Sequence, residues 1–155
     1  MELKWRDMNR EIIFKGKKVD NGEWIEGYLF DDGMLGEKRM FIGELVIAPY
    51  DGPVRGKWTV IAHRFDEVDP ETICQYTGLT DKNGNRIWEN DICDRKEPYP
   101  EIVKMHDGDW TLDYSYSCGK DYGYCYCNLG FYTVERKEVE VIGNIFDNPE
   151  LVKEG

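Results

Sequence analysis

The chain has 155 residues, enough for one domain with a real core, and its 14% aromatic content and 16 glycines point to a β-rich fold with glycine at the turns. A net charge of −11 repels a nucleic-acid backbone, and the densest basic group, Lys15, Lys17 and Lys18, has Glu11 and Asp20 beside it, so nucleic acid is a disfavoured partner. No apolar run approaches the roughly eighteen residues of a membrane span, and the charged start MELKWRDMNR is no signal peptide, so no membrane association and a cytoplasmic location are expected.

Residues 10–30, REIIFKGKKVDNGEWIEGYLF, read as a hairpin turning at Asp20-Asn21-Gly22-Glu23. Large apolar groups alternate onto both faces of its second strand, which predicts cover on two sides. Met40 to Ala48 is a mostly apolar run stopped by Pro49, and Trp58 to Phe65 makes the next strand. Asp69-Pro70-Glu71 reads as a short helix start, with Asp as cap and Pro at the first position. It marks a junction between an N-terminal β lobe, residues 8–68, and the remainder, residues 69–155, within one domain.

Gln75 to Cys93, QYTGLTDKNGNRIWENDIC, is the most legible stretch: strand, tight Asn83-Gly84 turn, strand, a corner at Glu89-Asn90-Asp91, strand. Asp91 is expected to accept backbone hydrogen bonds at that corner. Ile102 to His106 and the segment from Trp110 form strands joined at Asp107-Gly108-Asp109. Trp110, Leu112, Tyr114 and Tyr116 alternate with Thr111, Asp113 and Ser115, the pattern of a half-buried antiparallel strand. Core is the simpler reading of that apolar stripe, and a face for proline-rich peptide the other. Ser117 to Tyr124 reads as an exposed loop, Phe131 to Val134 and Val139 to Phe146 as closing strands, and Asn148-Pro149-Glu150 as the cap of a short terminal helix. Short strands with turns at intervals of about ten residues indicate a barrel or coiled sheets and not a βαβ array.

Five cysteines with no export signal read as reduced thiols, the odd count arguing against a complete disulfide framework. Cys118, Cys125 and Cys127 lack the paired spacing that places four thiolates around zinc, so no metal site is assigned. Neither His63 nor His106 stands in a metal-binding spacing, and no nucleophile elbow, phosphate loop or dinucleotide fingerprint occurs, so no catalytic or cofactor-binding residue is assigned. Tyr122, Tyr124 and Tyr126 flank a Gly-rich loop and are the candidate interaction surface, because tyrosine is favoured at interfaces.

Three blocks, REIIFKGKKVDNGEWIEGY, VDPETICQYTGLTDKNGNRIWENDI and EVIGNIFDNPELV, resemble the signatures of the YopX-like proteins of bacteriophages, prophages and their bacterial hosts. The resemblance implies a mainly β fold, a complex arrangement of coiled β-sheets containing an SH3-like barrel, which residues 75–146 would build. It also implies homo-oligomers, with a hexamer as the size to test, and it implies no activity. Members commonly carry Gly where this chain has Asn90, and Asn is the best ordinary replacement at a left-handed corner. They often begin near the equivalent of Met8, which makes residues 1–7 an extension. The leading expectation is therefore a non-enzymatic phage or prophage accessory protein that oligomerises and presents loops to an unknown protein partner. An acidic mimic that binds a basic nucleic-acid-binding host factor, and a small hydrolase or nuclease built at a subunit interface, are the alternatives.

Overall fold

The computed structural model describes residues 11–118 and 125–153. It is mainly β, with eleven strands among the described residues and helix confined to short turns. Two compact units emerge, Ile12–Gln75 and a second made of Glu11 with the chain from Tyr76 onward, so the division falls inside a strand. No helix among the described residues is long and apolar enough to cross a membrane.

The first unit holds β1 (Phe14–Lys17), β2 (Trp24–Asp31), β3 (Met40–Pro49) and β4 (Trp58–Val68), hydrogen-bonded in the order β4-β3-β2-β1, with Cys74 and Gln75 beyond β1. The β1–β2 turn forms where Asn21-Gly22 predicts it, with Gly22 at φ 72° and the Asn21 side chain accepting the Glu23 amide at 3.0 Å. At Gly43 the chain crosses so closely that a Cβ would sit 1.9 Å from the Arg64 carbonyl oxygen, which makes glycine obligatory there. The expected two-sided cover of β2 is corrected: none of its residues is fully buried and Tyr28 is exposed. The four strands make one layer, which can bury little more than the ground around Ile42 and Val68. Asp69 caps the single turn Pro70–Thr72 as predicted, accepting the Glu71 amide at 3.0 Å, and the Thr72 hydroxyl accepts the Lys17 amide at 2.8 Å.

β5 (Cys74–Thr80) continues into the second unit, where it pairs with β6 (Arg86–Trp88). A five-stranded antiparallel sheet follows, built from β7 (Asp91–Asp94), β8 (Glu101–His106), β9 (Asp109–Asp113), β10 (Tyr126–Asn128) and β11 (Glu140–Asn144) in the order β10-β9-β8-β7-β11. β10 and β11 are its edges, so among the described residues the sheet is open. Ile87, Cys93, Val103, Leu112, Leu129 and Val139 form the core of this unit.

Two corners organise it. Asp81 is almost fully buried; its Oδ1 accepts the Asn83 and Asn85 amides and its Oδ2 the Val141 amide, each at 2.9 Å, which ties the β5–β6 turn to β11. Asn90 is left-handed at φ 68°, as its replacement of glycine implies, and Asp91 Oδ2 accepts the Trp88 amide at 2.8 Å, as the corner predicts.

Three expectations fail here. Phe131 to Val134 is not a strand but part of a wide helical turn, Phe131–Glu135, because the Asn128 side chain accepts the Phe131 amide at 2.7 Å and the Thr133 hydroxyl bonds back to the Leu129 carbonyl. The alternating strand from Trp110 stops at Asp113, and its polar positions are not the wet side: Thr111 and Asp113 are buried beside Leu112. The terminal turn Pro149–Val152 forms, but the Asn148 carboxamide accepts the Asn144 amide at 3.2 Å and does not cap it.

Candidate functional site

The β8–β9 hairpin sets His106 opposite Asp109, Lys104 opposite Thr111 and Ile102 opposite Asp113, and β10 adds Tyr126 beside Asp113. These positions share one face of the sheet. His106 Nε2 lies 2.7 Å from Asp113 Oδ2, and its ring stacks on Tyr126 with centroids 4.3 Å apart. The other oxygen of Asp113 accepts the Ser115 amide at 2.9 Å and the Ser115 hydroxyl at 2.5 Å. Burial opposes the Asp113 charge, yet the hydroxyl and amide of Ser115 and the His106 ring hold its carboxyl below the usual range. His106, Tyr126, Thr111, Asn128, Asp107 and Asp109 line a groove of about 260 Å³.

An imidazole braced by a carboxylate is the arrangement a general base uses. Here the relay is out of order, because the Ser115 hydroxyl donates to the carboxylate and not to the imidazole. Cys127 also borders the groove, but the register places it with Leu112 on the opposite face. Its thiol donates to Glu101 Oε2 at 3.5 Å, and burial, with the Glu101 charge next, pushes it up to about 12. That is a protonated thiol, the reverse of an activated nucleophile.

Beneath it runs a buried polar line. Glu101 has no exposure, and its Oε1 accepts Arg95 Nε at 2.6 Å; Arg95 also reaches Glu97 at 3.0 Å and stacks 4.1 Å over Tyr132. Burial raises the Glu101 carboxyl, and Arg95 counters it. Among the described residues no group of three or more His, Cys, Asp or Glu is placed to hold a metal ion.

Of the sequence candidates, Tyr122 and Tyr124 lie outside the described residues, and Tyr126 is half-buried, stacked on His106. The two histidines belong to different units: His63 is exposed on β4, stacked on Phe65, in the first. The reading of all five cysteines as reduced is corrected, since Cys118 and Cys125 form a disulfide while Cys74, Cys93 and Cys127 stay outside it as thiols. An odd count excludes full pairing but permits one bridge closing a short loop. Sequence reasoning missed Asp113, Glu101 and Arg95; a carboxylate inside an otherwise apolar strand was the available signal.

Open antiparallel sheets, tight corners and a polar groove without an assembled relay define a mainly β protein of two sheets. Residues 51–153 match the family model described as YopX protein, and the chain belongs to the YopX family. The first sequence block, around the β1–β2 hairpin, precedes the matched residues. The fold is similar to that in the crystal structure of protein EF1440 from Enterococcus faecalis, with TM-score 0.57 and 22% identity, covering 92% of this chain and 99% of that one. No curated protein matches the chain.

Proposed function

We propose that the protein is a phage or prophage accessory protein that works as a homo-oligomeric interaction module and not by catalysis. The observation that supports this reading is the outer half of the β3–β4 hairpin. Val46, Ile47, Trp58, Val60 and Ile61 are all exposed there, Trp58 at 68%. β4 is an edge strand of eleven residues; Lys18 and Val19 meet its Glu67–Val68 end, and among the described residues no strand pairs with the outer edge of its Trp58–Ala62 half. Edge strands are commonly blunted by charge, and β4 carries Arg64, Asp66 and Glu67 near its end, but Trp58 to Ala62 and the facing Val46 to Pro49 carry none. In a chain of net charge −11, this is ground where a second copy can approach without juxtaposing like charges.

Light scattering at micromolar concentration is expected to give a multiple of 18.2 kDa for the native chain and the monomer mass for Val46→Lys/Ile61→Lys, with an unchanged circular dichroism spectrum. A native chain already at monomer mass removes the proposal. The second reading, a small hydrolase or nuclease completed by a neighbouring subunit, is favoured by the His106–Asp113 pair. It requires turnover in a hydrolase screen with divalent metal that disappears in His106→Ala.

A further inference from the structure

Basic residues that look scattered along the chain converge in the second unit. Lys82 comes from the β5–β6 turn, Arg95 and Lys96 follow β7, and Lys137 follows the helical turn after β10; with Glu138 they line a cavity of about 410 Å³. Part of this charge is balanced. Lys82 lies 3.0 Å from Glu140, Arg95 is paired with Glu101 and Glu97, and Glu138 accepts from Arg136 at 3.2 Å. Arg95 is therefore a fixed cation in the wall, its side chain 12% exposed. Among the described residues no ion pair neutralises Lys96 or Lys137.

Those two lysines share a further property. Both hold left-handed backbone, at φ 66° and 54°, where a Cβ is disfavoured and Gly or Asn is the less strained choice. For Lys96 the turn itself comes from the Asp94 carboxylate, which accepts its amide at 2.9 Å, and needs no lysine side chain. The Lys96 turn, then, does not call for a long cation, and both lysines line the cavity, where one anion can meet them together.

We propose that this cavity binds a small phosphorylated ligand, its phosphate oxygens held by Lys96 and Lys137 against the Arg95 guanidinium. Phosphate suits the site because it brings up to two negative charges and three acceptor oxygens to converging cations. The volume lies in the range of small-ligand pockets. A long polyanion is disfavoured by the field of the whole chain, whereas a compact one meets mainly the local cations.

Titration calorimetry of the full chain with inorganic phosphate, pyrophosphate and ADP tests it, alongside Lys96→Gly/Lys137→Gly. Saturable binding of pyrophosphate is expected, weakened about tenfold per lysine removed and so about a hundredfold in the double variant. The thermal midpoint of that variant should be equal or higher, because glycine relieves both backbone positions. ADP binding tighter than pyrophosphate assigns the phosphates to a nucleotide; equal binding assigns them to a free anion. Absence of binding by all three, undiminished affinity in the double variant, or a single-stranded oligonucleotide binding more tightly than pyrophosphate would overturn the proposal.

Discussion

Replacing Asp81 with alanine is expected to cost the chain about 3–5 kcal/mol of stability. The carboxylate accepts the amides of Asn83, Asn85 and Val141, and each such bond to a charged acceptor is worth roughly 1.5–3 kcal/mol, summing incompletely because they share one group. Burial opposes the Asp81 charge, and these amides nonetheless hold its carboxyl below the usual range. A lowered carboxyl contributes stability that is present above the unfolded-state value and lost as pH falls through the folded-state value, so this corner and Asp113 should lose their contributions only as pH falls below the ordinary carboxylate range. Asp81→Asn keeps one acceptor oxygen and should lose roughly half as much. Urea unfolding followed by circular dichroism measures both, and a loss below about 1 kcal/mol in the alanine variant would show that the turn holds without its carboxylate.

Arg95→Ala is expected to cost about 3–5 kcal/mol near neutral pH, because it strands the Glu101 charge in a site with no exposure. The loss should depend on pH in a definite direction. Burial already raises the Glu101 carboxyl against the opposition of Arg95, and without that cation it rises further. The folded variant then binds the proton more tightly than the unfolded chain. Its deficit relative to the native protein is therefore full above the folded-state value and shrinks as pH falls through it toward the ordinary carboxylate range. Urea midpoints of both proteins across the acid range report the difference, and a deficit that grows on acidification contradicts the assignment.

The parts of the fold that could be read from the chain are those written in local backbone chemistry. Gly22 of Asn21-Gly22 and Gly84 of Asn83-Gly84 supply the positive φ of tight turns, Asp69-Pro70 starts a single helical turn, and Asn90 takes the left-handed corner. None of these depends on a distant residue. What escaped the reading depends on distant residues throughout. Asp113 stands where alternation predicts solvent, and it is buried because His106, from the neighbouring strand, and Ser115 satisfy it. Glu101 opens β8 after a proline-containing loop, and only the return of Arg95 across that loop makes its burial tolerable. Phe131 carries a strand-forming composition but meets a capping Asn128. The basic cavity draws its four cations from three separate loops, so no spacing along the chain could announce it.

The surfaces proposed to bind, an apolar hairpin tip in one unit and a basic cavity in the other, are each defined by side chains on hairpins or at turns. The central claim is that the distinctive residues between Gln75 and Asp91 serve these turns as backbone anchors and not as reacting groups. Amide hydrogen exchange of the native chain tests it most directly, at Asn83, Asn85 and Val141, which donate to Asp81, and at Trp88, which donates to Asp91. Protection of these four amides matching that of Val103 and Leu112 in the core is the predicted result. Exchange at the rate of exposed loop amides would contradict it.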